Sequence, residues 1–388
     1  MELTNERLML SLIRSAMSGE PLSQAQRESC TEENIKEALN IASTHDLGQI
    51  VAWGLKKNEI KSAEGETVIF KSVYRHQQIK FEYDKLCKSL EAAGIPFLPL
   101  KGSVIRKYYP EAWMRTSCDI DILVHRSDLD RVTRMLVDDF KYKADPVLSH
   151  DISLYSPTGV HVEMHFDLIE ESVISASGKL LKNVWSYAIL KEGYTAFYEM
   201  RDDLFYLYHV AHMAKHFLHG GCGVKPFIDL WLLDRMDGVD KDARDRMLEK
   251  GELLKFTQAA REVCEVWFGS SEHTALTEQM EKYILSGGVY GNDENRMTVQ
   301  LERSGGRLGY ILSRVFLPYE SLQFVYPILQ VKKNCWMAPF LQLHRWFRIV
   351  FCGGMRKAKN TIARSGEVSG TEVKDVHRFL DEVGLVWK

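Results

Sequence analysis

The sequence predicts an α+β protein in which a small mixed sheet with its own helices is set between two helical regions. Three observations predict it. Apolar residues recur at three-to-four spacing through the first ninety positions and again beyond about Gly178, as amphipathic helices require. Between those regions lie short apolar or alternating runs, the pattern of strands. The composition, 45% hydrophobic, 27% charged and 11% aromatic, is that of a globular chain and excludes a disordered or collagen-like one. At 388 residues the chain is long for one domain. Three regions are expected: a helical N-terminal region over 1–94, an α/β core over 95–175, and a larger helical C-terminal domain over 176–388.

In the first region, Leu8, Leu10, Leu12 and Ile13 open one helix. Thr31, followed by Glu32 and Glu33, is the expected N-cap of a second helix carrying Ile35, Leu39 and Ile41. A third, over about 67–93, runs through Val73, Ile79, Leu86 and Leu90 and stops at Gly94. The texture then changes. IPFLPLKG (95–102) reads as a buried strand, and SVIRKYYP as a short helix closed by Pro110. CDIDILV (118–124) alternates with period two, and a helix capped by Ser127 is expected to run to about Asp139. HDISLYS (150–156) and VHVEMHF (160–166) read as strands joined by the turn 157–159, which makes 95–166 a β-α-β-α-β-β unit. Beyond 178 the pattern reads as helical almost to the end.

The net charge is −3, so the chain as a whole is not built to hold a polyanion. Yet 321–366 contains no acid and eight bases, Lys332, Lys333, Arg345, Arg348, Arg356, Lys357, Lys359 and Arg364. With its aromatics this tract reads as a buried helix pair with solvated basic edges; peripheral contact with a membrane or polyanion is the alternative. The 7 cysteines are scattered without a Cys-x-x-Cys pair, which argues against a disulfide framework and for reduced thiols. The first twenty residues lack a signal-peptide pattern, and no apolar run approaches the roughly 18–20 residues of a membrane span. A cytoplasmic location is expected.

The chemistry concentrates in one ordered set: Lys101-Gly102-Ser103, then Asp119-Ile120-Asp121, then Glu163. Asp119 and Asp121 stand at i and i+2 of a strand, so both carboxylates emerge on one face, roughly 6–7 Å apart. Such a pair repels unless a cation sits between, and its hard oxygens suit Mg²⁺ or Mn²⁺. Glu163 supplies a third carboxylate if its strand pairs alongside. Gly102 and Ser103 at a strand-to-helix junction offer backbone N–H groups and a hydroxyl to phosphate, with Lys101 and Arg115 to neutralise its charge. These parts describe metal-assisted transfer from a nucleoside triphosphate, ATP being the expected one.

The stretch LPLKGSVIRKYYPEAWMRTSCDIDILVHRSDLDRVTRML (98–136) resembles the polymerase-β-like nucleotidyltransferase superfamily, and more narrowly the bacterial "uncharacterised nucleotidyltransferase" family. Glu163-Met164-His165 resembles that family's Glu-x-His strand, and His212…Lys215-His216 and Asp229-Leu230 its later helices. The resemblance spans about 70–235. It implies a nucleotidyltransferase fold with Asp119, Asp121 and Glu163 as metal ligands. It further implies attack of an acceptor hydroxyl on the α-phosphate with loss of pyrophosphate. The spacing from Gly-Ser to Asp-x-Asp is longer than in many members of the superfamily, and a second Gly is absent. The acceptor is expected to be a small molecule or protein rather than nucleic acid. Transfer of the γ-phosphate on the same fold, or a silent nucleotide-binding scaffold, are the alternatives.

His209, His212, His216 and His219 form a helical stripe. Lys215, His216 and Lys225 are expected to face the nucleotide, while His209 and His212 pack or hydrogen-bond internally. His165 shares the strand face of Glu163, where it orients a carboxylate or relays a proton. An HD-type metal hydrolase needs a His-Asp pair in a helix. Of the two pairs, His45-Asp46 and His150-Asp151, the second is in a strand and neither lies in the stripe's helix.

Overall fold

The structure, a computed structural model, describes residues 4–148, 150–168, 175–289, 291–326, 335–351, 355–366 and 368–385. They fall into two compact units, one of Met1–Phe217 with Cys222–Tyr290 and one of Leu218–Gly221 with Gly291–Lys388. The first unit opens with α1 (Asn5–Ser18), α2 (Gln24–Glu28), α3 (Glu32–Thr44), α4 (Gly48–Lys57) and the long α5 (Ala63–Ala92). Leu8, Leu12 and Ile13 of α1 are fully buried. Gly54 of α4 is where α1 and α4 meet most tightly: a Cβ there would stand 2.3 Å from the Leu12 carbonyl oxygen. Thr31 caps α3 by accepting from the Asn34 N–H. Ser62 caps α5, so this helix starts earlier than its apolar spacing suggested.

The sheet follows: β1 (Phe97–Pro99), β2 (Asp119–Val124), β3 (Lys143–Ala144), β4 (Asp151–Tyr155) and β5 (His161–His165), in the order β1-β2-β5-β4-β3. β2 runs parallel to β5, and every other pair is antiparallel. Period two sorts its two faces. Ile120, Ile122, Val124, Ile152, Leu154, Val162 and Met164 form one core with Ile79, Leu86 and Leu90 of α5, joined by Leu129 and Val132 of α7 (Leu129–Arg134). The other face carries Asp119 and Asp121 of β2, His161, Glu163 and His165 of β5, and Asp151 of β4. α6 (Lys101–Ile105) follows β1 directly.

Three local expectations are corrected. Ser127 lies within a 3₁₀ turn (Arg126–Asp128) that precedes α7, so it is not the cap, and the last turn widens to a π-helix over Met135–Asp139. Two-residue β3 is too short to show alternation. The region beyond 178 begins with α8 (Ser175–Lys182) but then holds a hairpin, β6 (Ala188–Leu190) and β7 (Tyr198–Met200). The hairpin is held from outside itself. Glu91 of α5 accepts from the Thr195 N–H and hydroxyl and from the Ala196 N–H, and the Phe97 N–H donates to the Ala196 carbonyl.

Five helices complete the first unit: α9 (Asp202–Phe217), α10 (Lys225–Asp234), α11 (Lys241–Lys250), α12 (Leu254–Phe268) and α13 (Ala275–Leu285). His45, at the end of α3, is fully buried, and neither ring nitrogen has a hydrogen-bond partner among the described residues. Burial lowers its pKa from 6.5 to about 4. Between those values the unfolded chain binds a proton that the folded one refuses. The stabilisation from keeping the ring neutral is therefore complete above pH 6.5 and lost as pH falls toward 4, by up to about 3 kcal/mol. In His45→Leu, the fall in melting temperature between pH 7 and pH 5 should become shallower than in the parent chain; an unchanged slope would contradict this role.

The second unit contains α14 (Asp293–Arg303), α15 (Arg307–Val315), α16 (Tyr319–Val325), α17 (Ala338–Phe351), α18 (Met355–Arg364) and α19 (Gly370–Glu382). Its buried residues include Val299, Leu301, Tyr310, Phe379 and Leu380. The expected burial of the basic, aromatic tract is corrected: Trp336, Phe340, Phe347 and Phe351 are 57–71% exposed. Lys332 and Lys333 lie outside the described residues. No helix among the described residues is long and apolar enough to cross a membrane.

Candidate active site

The polar face of the sheet gathers the acidic residues because β2 and β5 are parallel neighbours in matched register, Asp119 opposite His161 and Asp121 opposite Glu163. Asp121 is 4% exposed. Its Oδ1 accepts from Lys101 Nζ at 2.8 Å and meets His165 Nε2 at 2.9 Å. His165 Nε2 also lies 3.3 Å from Glu163 Oε2, and His161 Nδ1 lies 4.0 Å from Glu163 Oε1. Asp121, Glu163, His161, His165 and Lys101 thus form one connected group, and Asp119 stands with His161 and Glu163, their polar atoms within 4.8 Å of one another.

Their acidities follow from this geometry. Asp119 is raised above the ordinary carboxylate value, first by burial and then by the charges of Asp121 and Glu163. Burial would raise Asp121 as well, but Lys101 and His165 overcome it and hold the carboxyl well below its usual range. Burial pulls His165 down, yet its hydrogen bonds to Asp121 and Glu163 push it up to about 9. Lys101 is likewise raised despite burial, the charges of Tyr208 and Asp121 outweighing desolvation.

Lys101 reaches Asp121 from an unusual backbone position. Its φ is +42°, a left-handed conformation uncommon for a residue with a Cβ and costing of order 1 kcal/mol or more. The segment is held by the Leu100 N–H donating to the Asp121 carbonyl at 3.0 Å. Gly102 and Ser103 form the first turn of α6, with Gly102 buried. A Cβ on Gly102 would lie 3.6 Å from Arg115 Nη1 and 3.8 Å from Arg106 Nη2, so two guanidinium groups approach this turn.

Arg115, expected to assist at phosphate, brings Nη1 to this turn while the rest of its guanidinium is engaged elsewhere. Its Nε and Nη2 donate to both carboxylate oxygens of Asp229 on α10 at 2.8–3.0 Å, and its Nη1 donates to the Thr116 carbonyl. The Tyr109 hydroxyl also donates to Asp229, at 2.7 Å. Lys225, expected to face the nucleotide, binds Asp46 and the Thr116 hydroxyl, and Gln49 donates to the Met114 carbonyl. These contacts clamp the loop of 109–118 that delivers the chain into β2.

On α9, His209 Nε2 bonds the Pro226 carbonyl at 3.0 Å, and His212 Nε2 lies 3.2 Å from His216 Nε2. Lys215 and His216 are both half-buried. The face of α9 nearest the carboxylates is marked by Tyr208 and His212. Burial raises the Tyr208 phenol; Lys101 opposes this and the charges of Asp121, Glu163 and Asp119 add to it. Burial, then the charge of Lys101, pushes His212 well below its ordinary value. His219 belongs to the second unit.

Sequence reasoning did not single out Arg106, His161 or Tyr208. Arg106 binds the Gly102 carbonyl, the Ser117 hydroxyl and His76. A signal was present for each: Arg106 stands one helical turn after Gly102, His161 stands at i−2 from Glu163, and Tyr208 one turn before His212.

The family model for the uncharacterised nucleotidyltransferases matches residues 31–269, more than half of the chain. The chain belongs to this family. No curated protein and no solved structure gives a significant match. For an uncharacterised nucleotidyltransferase the donor chemistry suits a divalent cation. Asp121, Glu163 and His165 offer ligand atoms all within 4.8 Å of one another, as do Asp119, His161 and Glu163.

Proposed function

We propose that this member of the family is a divalent-metal-dependent nucleotidyltransferase that moves a nucleoside monophosphate from ATP, or another nucleoside triphosphate, to an acceptor hydroxyl. The convergence of Asp119, Asp121 and Glu163 on one face of adjacent parallel strands supports this reading most. Those carboxylates would hold Mg²⁺ or Mn²⁺, which when bound neutralises phosphate charge and aligns attacking and leaving oxygens. The fit is physical: Asp119 is destabilised as a carboxylate by burial and then by its acidic neighbours, a cost that a cation relieves.

The acceptor oxygen forms a bond to the α-phosphorus, the bond from that phosphorus to the β-phosphate bridging oxygen breaks, and pyrophosphate leaves. Glu163, 24% exposed at its side chain, takes the acceptor's proton. His165 holds Asp121 and Glu163 in place through one ring nitrogen. Gly102 and Ser103 bind the β- and γ-phosphates, with Lys101 and Arg106 supplying positive charge beside them. Lys215 and His216 extend that positive edge from α9. Arg115, paired with Asp229, fixes the loop into β2 beside the Gly102 turn. We place the activity in the cytoplasm, on a small-molecule or protein acceptor.

The test uses ATP labelled on the α-phosphate and, separately, on the γ-phosphate, incubated with the protein, Mg²⁺ or Mn²⁺ and a cell extract. The expected result is transfer of α-label to an extract component. Transfer of γ-label alone would replace the reading with phosphoryl transfer, and failure to bind any Mg-nucleotide by calorimetry would leave a scaffold.

A further inference from the structure

The same sheet carries a second set of donors, two of which the nucleotidyl chemistry does not use. β4 pairs antiparallel with β5, and Asp151 stands directly opposite His165, so their side chains share one face. His150 precedes Asp151, and its ring centroid lies 5.8 Å from that of His165. His150, Asp151 and His165 offer ligand atoms all within 4.8 Å of one another. Asp151 and His165 are each 5% exposed. Asp151 Oδ1 is buried and has no hydrogen-bond partner among the described residues. A carboxylate oxygen in that setting is costly unless a cation or donor meets it.

We propose that His150, Asp151 and His165 form a transition-metal site of the Zn²⁺ class, separate from Asp119, Asp121 and Glu163 except through His165. Two imidazoles and one carboxylate select such a metal over Mg²⁺ or Ca²⁺, which prefer all-oxygen shells. Three protein ligands leave a coordination position open to water or to a substrate atom. His165 suits the part because its two nitrogens divide the work. Nε2 faces Asp121 and Glu163 at 2.9 and 3.3 Å, so the metal takes Nδ1. A metal-bound histidine that donates its other N–H to a carboxylate is the arrangement that fixes ring orientation and strengthens the ligand. The His150-Asp151 pair, out of place for a helical hydrolase motif, thereby gains a role. This site stands whether or not the nucleotidyl reading does.

The test titrates the full chain, stripped with chelator and held in excess Mg²⁺, with Co²⁺ as a visible-absorbing probe of imidazole ligation. One equivalent should bind. Affinity should fall by roughly tenfold or more in His150→Gln and in Asp151→Asn, and stay unchanged in Asp119→Asn. Melting curves accompany both ligand variants; if Asp151→Asn does not fold, His150→Gln, at a half-buried position, decides alone. No Co²⁺ uptake in excess Mg²⁺ overturns the proposal. So does uptake that is indifferent to His150→Gln and lost in Asp119→Asn.

Discussion

Asp119→Asn should lower α-label transfer by roughly a thousandfold or more while leaving the melting temperature unchanged or slightly raised. The rate estimate follows from a metal ligand's share of transition-state charge stabilisation, several kcal/mol, at about 1.4 kcal/mol per tenfold. The stability estimate follows from the same electrostatics with opposite sign. Asp119 is raised by burial and by Asp121 and Glu163, so its charge is a burden to the folded state when no cation is bound. Asp121→Asn is the control that separates the two effects. It also removes a ligand, but it strips Lys101 and His165 of their shared partner. That variant should lose activity and also stability, by about 3 kcal/mol as for a broken buried ion pair. The measurement pairs a transfer assay with thermal melts of both proteins. Full activity in both variants would remove the Asp-x-Asp carboxylates from the mechanism.

Asp229→Ala should be among the most destabilising single changes in the first unit, at about 3–5 kcal/mol. The pair is well enclosed: the Asp229 side chain is 1% exposed and that of Arg115 13%. Burial alone would raise the Asp229 carboxyl, but Arg115 holds it below its ordinary value, so the ion pair survives desolvation. Removing the acid leaves a buried guanidinium and an unpaired Tyr109 hydroxyl. The double variant Asp229→Ala with Arg115→Met should recover part of the loss, because it removes the stranded charge. Denaturant titration of the two single variants and the double measures that coupling. If Arg115→Met alone leaves stability intact and instead raises the KM for the nucleotide, Arg115 is a phosphate ligand after all and not a clamp for the loop.

Much of the fold could be read locally. Alternation in CDIDILV and VHVEMHF marks strands whose apolar side faces a core, and Thr31 and the apolar spacing of α5 mark helices, because these signals depend on residues a few positions apart. The elements that went unread are the ones held from a distance. β6 and β7 are short, and the turn between them is held by Glu91, roughly a hundred residues earlier. The tract of 321–366 shows the converse error: its pattern promised burial, and the structure leaves Trp336, Phe340, Phe347 and Phe351 exposed.

The site divides in the same way. By itself the sequence determined that Asp119 and Asp121 share one face of β2, since their spacing puts them there whatever surrounds them. Only the tertiary structure decided the partners. Parallel pairing in register brings Glu163 beside Asp121. Antiparallel pairing brings Asp151 opposite His165. Packing of α10 brings Asp229 to Arg115 beside the Gly102 turn. Strand register and helix placement are set by burial summed over the whole core, and that sum has no trace in any short window of the chain.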